Sequence, residues 1–467
     1  MTATAAPLSS PPGAFTLVRG LGLLAATAIV VGDVIGTGVF LKARVMTCNV
    51  GTPGLVISAW GVGALLSLAG ALTYAELAVL MPRAGGEYVF VREAYGPLWG
   101  FLYGWTRFFV ASTGGMAGLA AGFAIFLNVV SGGALQGHSM LLPVIASSAI
   151  VVVTLINCAA VQVSGRIASA VAALKVGVVA GIGVGAFLLA RGDWAHFAMS
   201  AAGSSCDGVA ASARGGFAGF GAAMMGAMWS YNGWNEVTYV AGEVKDPERN
   251  LPRAIIGGLG IIATLYLLAN VAYFYVLTPA DIASVPSSSA VATEVVTRFL
   301  GPRSAGVMAA ALAMAVFGSL QVVTLVSARI PYAMACDGVF FSRMARISPR
   351  TRVPVTALLV QAFWAVVLVF SGSYDALTDY AIFAVLIFVA LSTASVFVFR
   401  RRIPDAPRAY RTIGYPIVPF VFLVVATWLI VNTFVATPGR ALAGIGLMLA
   451  GLPFYWYWST RRHSHAS

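Results

Sequence analysis

The sequence predicts an all-α integral membrane protein with twelve transmembrane helices. Of its 467 residues, 59% are hydrophobic and only 9% are charged, whereas soluble domains carry about 25% charged residues. The mean hydropathy is +0.89. Apolar runs of about 20 residues, the length that crosses a bilayer, recur along the whole chain. These observations exclude a soluble protein that is held to the membrane by a single anchor.

The predicted spans follow one another along the chain with short polar loops between them. Residues 1–18 carry no charge and lack the basic start of a signal peptide, so they are predicted to form a disordered cytoplasmic tail. Residues 460–467 are predicted to form a second cytoplasmic tail. The twelve spans are residues 20–46, 53–80, 96–130, 139–161, 166–190, 216–242, 253–278, 304–334, 353–371, 376–399, 415–436 and 439–459.

The net charge of +12 is distributed in a way that sets membrane topology. With the N-terminus inside, 19 of the 28 Lys and Arg residues fall on the cytoplasmic side and seven fall outside, while Arg107 and Lys175 lie within spans. Basic residues concentrate in cytoplasmic loops of membrane proteins. The distribution therefore predicts cytoplasmic N- and C-termini in the cytoplasmic membrane, and it excludes a nucleic-acid-binding surface as the reason for the positive charge.

The cysteines and histidines indicate neither a redox nor a metal site. Cys48, Cys158, Cys206 and Cys336 show no CxxC spacing, so no disulfide framework is predicted. Four histidines form no metal-ligand pattern, and no nucleophile–base motif is present. The sequence therefore predicts a protein that is not an enzyme and that has no metal and no cofactor.

The first span is interrupted at its centre by the stretch Gly32-Asp33-Val34-Ile35-Gly36-Thr37-Gly38-Val39-Phe40. A glycine inside a helix makes the helix less stable by roughly 1 kcal/mol than an alanine at the same position. An acid at bilayer depth costs at least about 2.5–3.5 kcal/mol. A membrane anchor has no use for either, but a helix that is broken at the membrane midplane exposes backbone groups that can hold a solute. The stretch therefore predicts a broken helix.

The predicted break offers groups for both poles of an α-amino acid. The N–H groups of Gly36, Thr37 and Gly38 open the second half-helix, whose positive dipole end suits a carboxylate. The carbonyls of Val34 and Ile35 end the first half-helix and suit an ammonium group. The alternative is that these small residues serve only close helix packing.

The sixth span has a similar interruption at residues 229–236, which read Trp-Ser-Tyr-Asn-Gly-Trp-Asn-Glu. Interrupted segments at corresponding positions of two halves indicate an inverted repeat. We therefore predict a five-plus-five arrangement with broken helices 1 and 6 facing each other. Residues 19–190 form the first repeat, residues 216–399 form the second, and residues 415–459 form helices 11 and 12.

Polar side chains in the sixth span need partners in a dry environment. Trp229 is a candidate gate over the site, or alternatively a tryptophan of the bilayer interface or a packing residue. Asn232 and Asn235 either tie helices together or contact the solute. Glu236, like Glu76 at the end of the second span, is predicted to pair with a loop arginine at a helix end.

Three ionisable residues lie deeper in the predicted spans. Lys175 has about ten apolar residues on either side, which makes snorkelling awkward, and its fixed ammonium can stand where a sodium-driven carrier holds its cation. Arg107 is nearer a span end, so snorkelling and function stay open alternatives. Asp33 can pair with a cation, donate a hydrogen bond as a neutral acid, or carry a proton.

Taken in order, these motifs resemble the amino acid–polyamine–organocation (APC) superfamily, and among its members most of all the L-type amino-acid transporter branch and its bacterial relatives. The resemblance covers nearly the whole chain. Its motifs are Gly32-x-x-Ile35-Gly36-Thr37-Gly38-Val39-Phe40, Tyr74-Ala75-Glu76-Leu77, Pro82-Arg83-Ala84-Gly85-Gly86-Glu87-Tyr88, Tyr231-Asn232-Gly233-Trp234-Asn235, Lys245-Asp246-Pro247-Glu248-Arg249-Asn250-Leu251-Pro252-Arg253, Phe317-Gly318-Ser319 and Ser327-Ala328-Arg329.

The resemblance implies a LeuT-type fold, alternating access and amino-acid transport. It places the substrate carboxylate at the backbone of residues 36–38 and the substrate amine at carbonyls near Val34, Ile35 and Trp229. It also implies that Lys175 replaces sodium and contacts spans 1 and 8 near Ser319. Sodium independence follows as an expectation.

The chain departs from the family pattern at several positions. Asp33 stands where the family usually has a small or neutral residue, and Asn232 stands where several animal members have glycine. The loop at 131–138 lacks the cysteine through which animal members bond a heavy-chain partner. A disulfide-linked heavy chain is therefore not expected, and the oligomeric state is left open.

The sequence thus predicts a sodium-independent amino-acid permease that works as an exchanger or as a proton symporter. A transporter-like amino-acid sensor and a carrier of polyamines or cationic amino acids are the alternatives. The accepted side chain is not predicted, because small residues at 113–115 leave room in the third span while Trp229 and Asn232 take it away.

Overall fold

The computed structural model describes residues 19–135, 140–159, 161–287, 289–371, 374–436 and 438–464. In these residues the regular secondary structure is helical, apart from one isolated β-bridge between Leu21 and Val244. Ten helical stretches of the described chain are long and apolar enough to cross a membrane. The predicted all-α membrane class is therefore confirmed. The predicted tail at 1–18 lies outside the described residues.

The first half of the chain contains eight α-helices, and a π-helical turn at Arg107–Ser112 joins the fifth to the sixth. They are α1 (Leu23–Val34), α2 (Gly38–Val50), α3 (Pro53–Leu80), α4 (Glu87–Tyr95), α5 (Pro97–Thr106), α6 (Thr113–Val130), α7 (Leu141–Ala159) and α8 (Val161–Leu189).

The second half contains eleven α-helices, and a 3₁₀ helix at Glu236–Glu243 follows the first of them. They are α9 (Gly216–Tyr231), α10 (Pro247–Val276), α11 (Pro279–Ser284), α12 (Val291–Leu300), α13 (Ser304–Ser327), α14 (Arg329–Cys336), α15 (Val355–Val369), α16 (Tyr374–Arg402), α17 (Ile417–Ala436), α18 (Pro438–Leu449) and α19 (Leu452–Ser464).

Two of the twelve predicted spans are shorter than a full crossing in the structure. The sixth is divided between α9 and the 3₁₀ helix, so neither piece reaches the length of a span. The ninth is α15, which has 15 residues. The number twelve and the inverted repeat stay predictions.

Several predicted boundaries were wrong by a few residues. α2 continues to Val50, four residues beyond the predicted end, and stops at Gly51, whose φ of 77° is the left-handed conformation that glycine adopts easily. α10 begins at Pro247 instead of 253, because a proline at the first helical turn suits a helix start. α19 continues to Ser464, through part of the predicted tail at 460–467. The extra residues of α10 include Glu248, Arg249 and Asn250, and those of α19 are all polar or charged, so a hydropathy pattern leaves these segments out.

Three short helices were not predicted at all. α4, α11 and α12 have 9, 6 and 10 residues, which is too short for a membrane span. α4 nevertheless matters for the site, because it brings Glu87 into the protein interior.

The two broken helices lie at the centre of the molecule. α1 packs against α8, α10 and α13, and α2 packs against α9. Gly38 and Ser230 approach each other closely: a Cβ atom added to Gly38 would lie 2.6 Å from the Ser230 Cα. Glycine at this position lets the two half-helices touch.

One end of the helix bundle carries most of its ion pairs, and we call it the basic end. Arg92 pairs there with Asp337. Glu76 accepts from the guanidinium of Arg400 at 2.7 Å and also pairs with Arg408 at 3.2 Å. The prediction that Glu76 pairs with arginine at a helix end is thereby confirmed.

The opposite end, which we call the disulfide end, holds a bond between Cys48 and Cys206. The prediction of no disulfide was wrong, because the two cysteines are 158 residues apart and no spacing pattern announces the pair. The chain between α8 and α9 folds back onto the end of α2. The Arg44 guanidinium donates to the Asp207 carbonyl at 3.0 Å, and the Ala201 amide donates to the Gly51 carbonyl at 2.7 Å.

Candidate functional site

A small cavity lies where the two helix breaks face the π-helical turn. Its volume is about 40 Å³, which is room for roughly three water molecules. In this conformation the cavity is therefore nearly closed. Its lining residues are Asp33, Val34, Gly36, Thr37, Gly38, Arg107, Ala111, Ser112, Gly115, Leu119, Trp229, Asn232, Glu236 and Val323.

The first break separates α1 from α2 and presents a helix N-terminus to this cavity. The Gly36 amide turns back to the Val34 carbonyl at 2.7 Å, and α2 starts at Gly38 without a side-chain cap. The first N–H groups of a helix have no acceptor within the helix, and they attract negative charge. The three residues predicted for a carboxylate all line the cavity, although the Gly36 amide already has the Val34 carbonyl as its acceptor.

The carbonyls predicted for the substrate amine already have protein donors. The Tyr266 hydroxyl donates to the Val34 carbonyl at 2.8 Å, and the Ser319 hydroxyl donates to the Ile35 carbonyl at 2.9 Å. A carbonyl oxygen has two lone pairs, and both of those on Val34 are occupied, because the Gly36 amide also donates to it. Val34 lines the cavity, whereas Ile35 is completely buried. An amine contact at these two carbonyls stays a prediction.

Lys175 joins three helices behind the first break. Its ammonium group donates to the Gly32 carbonyl at 2.5 Å and to the Ser319 hydroxyl at 2.6 Å. The side chain is completely buried, so the snorkelling alternative was wrong. α8 is thereby connected to α1 and α13. The role of Lys175 and Ser319 in transport stays a prediction.

The second break follows Tyr231, where α9 ends. Asn232 is extended, Gly233 has a φ of 116°, and the 3₁₀ helix begins at Glu236. A Cβ atom on Gly233 would lie 2.8 Å from the carboxyl carbon of Asp33. The two breaks therefore meet at this point, with the acid of the first against the glycine of the second.

The predicted third span contributes a buried arginine, for which the sequence left snorkelling and function as open alternatives. Arg107 begins the π-helical turn, is 2% exposed and forms an ion pair with Glu236. The prediction that Glu236 pairs with a loop arginine was wrong, because its partner lies inside the membrane-spanning bundle. π-helical turns are frequent at functional sites, but no residue pattern in this span announced one.

Asp33 lies beside this pair. It lines the same cavity as Glu236 and Arg107, and Lys175 donates to the carbonyl of its chain neighbour Gly32. Asp33 is 6% exposed, and Glu236 is 3% exposed. The cavity therefore contains two carboxyl groups, one from each broken helix, together with one guanidinium group.

Glu87 on α4 closes the space between the cavity and the basic end. It accepts hydrogen bonds from the Tyr103 hydroxyl at 2.7 Å, the Tyr239 hydroxyl at 2.6 Å and the Asn235 amide at 3.0 Å, and also from Tyr74. Asn235 therefore ties helices together, while Asn232 lines the cavity. Sequence analysis missed Glu87, although it lies in one of the quoted motifs, because its role depends on tyrosines from three other segments.

A second buried ion pair lies further along the 3₁₀ helix towards the basic end. Arg329 donates to both oxygens of Glu243, at 3.0 and 3.3 Å. The Glu87 cluster and the Arg92–Asp337 pair add further polar contacts between the helices on this side of the cavity. The geometry is that of a solute site in a closed helix bundle, the arrangement of a membrane transporter.

Comparison with known proteins identifies the class. The sequence profile of a family described as amino acid permease matches residues 21–456. The chain therefore belongs to the amino acid permease family.

Individual relatives of the chain transport amino acids. The serine/threonine exchanger SteT of Bacillus subtilis is 29% identical, with 96% of this chain and 98% of the relative covered. The b(0,+)-type amino acid transporter 1 of Mus musculus is 27% identical over 94% and 88% of the two chains. The large neutral amino acids transporter small subunit 2 of Oryctolagus cuniculus is 29% identical over 96% and 83%. The family and these relatives are transporters and not enzymes.

Proposed function

We propose that this protein carries small neutral amino acids across the cytoplasmic membrane without sodium, by alternating access in a twelve-helix, LeuT-type five-plus-five fold. The break in helix 1 supplies the carboxylate site, and residues around Trp229 complete the pocket. The observation that carries the proposal is the position of the Lys175 ammonium group behind that break.

Sodium independence is supported by the partners of Lys175. Its ammonium group is bound to the Gly32 carbonyl and the Ser319 hydroxyl, two oxygen ligands of the kind that hold sodium at unwound helices in transporters. A fixed positive charge at this place stabilises the broken helix and repels a second cation. The protein therefore needs no bound sodium to hold α1 against α13.

A small neutral substrate is supported by the cavity and by the relatives. The cavity of about 40 Å³ must enlarge for any amino acid, and a small side chain requires the least rearrangement. Asn232 and Ser112 give its wall hydrogen-bonding groups. The relative SteT is a serine/threonine exchanger. L-Serine, L-threonine and L-alanine are the first substrates to test.

A carrier of cationic amino acids or polyamines is the second candidate. Two carboxyl groups, Asp33 and Glu236, line the cavity and attract cations. Arg107 and Lys175 lessen that attraction, because Arg107 pairs with Glu236 and Lys175 is bound to the chain neighbour of Asp33. The presence of both signs of charge favours a zwitterion. A transporter-like sensor would bind the amino acid without moving it.

The membrane orientation is supported by two independent features. Basic loop residues favour the cytoplasm, which assigns the basic end and both termini to the inside. Disulfides persist in oxidising compartments, which assigns the Cys48–Cys206 end to the outside. Cys336 is an exposed free cysteine at the basic end. Its labelling by a membrane-impermeant maleimide in intact cells would contradict this orientation.

A disulfide-linked heavy chain is not part of the proposal. The loop at 131–138 contains no cysteine; of its residues, 136–138 lie outside the described chain. Cys48 and Cys206 are bonded to each other. The proposed partners are the amino-acid substrate and the lipid bilayer.

Uptake into liposomes tests the proposed function. Purified protein should take up radiolabelled L-serine, L-threonine or L-alanine at the same rate in sodium and in choline buffer. A requirement for a sodium gradient would overturn sodium independence. Binding without uptake would indicate the sensor, and preferential uptake of arginine or putrescine would indicate the cationic carrier. Empty liposomes and heat-denatured protein serve as controls.

A further inference from the structure

We propose that Asp33 and Glu236 share one proton across the cavity, and that this proton moves with each substrate molecule. The transporter is then a proton symporter. This inference rests on the proposed transport function and adds the coupling ion and the residues that bind it.

The two acids belong to the two helices that alternating access must rearrange. Asp33 lies near the end of α1, just before the first break. Glu236 begins the 3₁₀ helix just after the second break. Both line the same cavity, and each has a buried carboxyl oxygen that finds no donor among the described residues. The cavity therefore brings together one acid from each broken helix.

A hydrogen bond between two carboxyl groups requires a proton. Ionised carboxylates accept hydrogen bonds but cannot donate them, whereas a protonated carboxyl group has one O–H donor. Asp33 Oδ2 and Glu236 Oε2 are buried, and no N–H or O–H group of the described residues donates to either atom. One shared proton supplies the donor that the two acids need.

A count of the charges around Asp33 and Glu236 also indicates that the two acids hold one proton. Three buried carboxyl groups lie in this cluster, on Asp33, Glu236 and Glu87, and two buried cations face them, on Arg107 and Lys175. An uncompensated charge is costly away from water. One proton on the acid pair makes the cluster neutral.

The remaining titratable groups that pack around the pair are tyrosines, which act as neutral donors. Tyr74, Tyr103 and Tyr239 donate to Glu87. From α10, the Tyr266 hydroxyl donates to the Val34 carbonyl. None of these contacts supplies a further charge. The acid pair is therefore one place in this cluster where a single proton changes the net charge, and it is the place where buried carboxyl oxygens have no donor among the described residues.

The proton balance of transport follows from this arrangement. With the site open to the outside, one carboxylate of the pair takes a proton from water, and the resulting O–H group donates to the other carboxylate. When the helices rearrange to open the basic end, Asp33 separates from Glu236, the O–H bond breaks and the proton passes to cytoplasmic water. One proton and one zwitterion enter together, so each cycle moves one positive charge.

The experiment uses the wild-type protein in liposomes that contain a trapped pH indicator. With acid outside and the amino acid identified by the uptake assay, the interior should acidify by one proton per substrate molecule. Accumulation should rise about tenfold for each pH unit of gradient, and a protonophore should abolish it. The wild-type result does not depend on how any variant folds.

Variants then assign the proton to the pair. In Asp33→Asn and Glu236→Gln, the number of protons per substrate in whatever flux remains should fall from one towards zero. Asp207→Asn, which changes an exposed acid at the disulfide end, should keep a ratio of one. The ratio is independent of the amount of folded protein.

The outcomes separate this inference from the proposed function. Amino-acid uptake without proton movement overturns the shared proton and leaves transport intact. A ratio of one in both acid variants assigns the proton to another group and also overturns the inference. Absence of uptake in every mode overturns the proposed function itself.

Discussion

The two helix breaks differ in what holds them in place. In the first, side chains from other helices bind the exposed carbonyls: Lys175 donates to Gly32, Ser319 to Ile35, and Tyr266 to Val34. In the second, the chain turns through its own backbone, with the Asn232 amide donating to the Trp229 carbonyl at 3.2 Å and Gly233 at a φ of 116°. The carbonyls of the first break are bound by distant side chains, whereas the turn of the second break depends on a positive φ at Gly233.

This difference indicates which kind of substitution would disrupt each break. The first break depends on residues about 140 or more positions away along the chain, so a change elsewhere in the sequence can release it. The second break depends on a conformation that glycine adopts without a steric penalty. The two breaks therefore require different substitutions to test them.

Lys175→Ala should have the larger effect, because it removes the charged donor from the first break. Hydrogen bonds to charged groups contribute about 1.5–3 kcal/mol each, so uptake should fall by roughly 10- to 100-fold while folding is largely retained. Initial uptake rates and the elution profile in detergent measure the two effects. Lys245→Ala, at an exposed lysine of the basic end, is the matched control. Uptake within twofold of the wild type would show that Lys175 has no role in transport.

Gly233→Ala and Gly36→Ala compare the two breaks directly and should have smaller effects. Alanine at 233 must keep a φ of 116° and place its Cβ atom 2.8 Å from the Asp33 Cγ. This strain costs about 1–3 kcal/mol. At Gly36 the added Cβ atom would lie 3.2 Å from the Leu119 Cδ2, the far end of a side chain, so stability should change less. Apparent thermal unfolding in detergent measures both.

The opposite order of these two effects would contradict the comparison. If Gly36→Ala destabilised the protein more than Gly233→Ala, the first break would be the one held by backbone conformation. Gly61→Ala serves as the control, since a Cβ atom at this helical glycine meets no other atom within 4 Å.

The sequence was sufficient for the class of the fold and for the location of the breaks. Apolar runs of membrane length require helices, so the all-α bundle follows from composition and periodicity alone. Residues 32–40 and 229–236 were identified because glycine and polar residues are costly inside a span, and such local costs can be read from a sequence without any contact.

The sequence was not sufficient for the partners of the buried charges. It placed Glu236 with a loop arginine, yet the structure pairs it with Arg107. It left Glu87 without a role and predicted no disulfide. Each of these errors concerns residues that are far apart in the chain and adjacent in space, and spacing patterns carry no signal for such pairs.

What the sequence by itself determined is therefore a helical permease with two interrupted spans; the zwitterion site at residues 36–38 stays a prediction. What only the tertiary structure decided is which charged groups come together at the breaks: Asp33 and Glu236 in one cavity, Glu236 with Arg107, and Lys175 with the first break. The physical reason is that the cost of a break is paid locally within one helix, whereas a buried charge is stabilised by whichever partner the fold brings within a few ångströms.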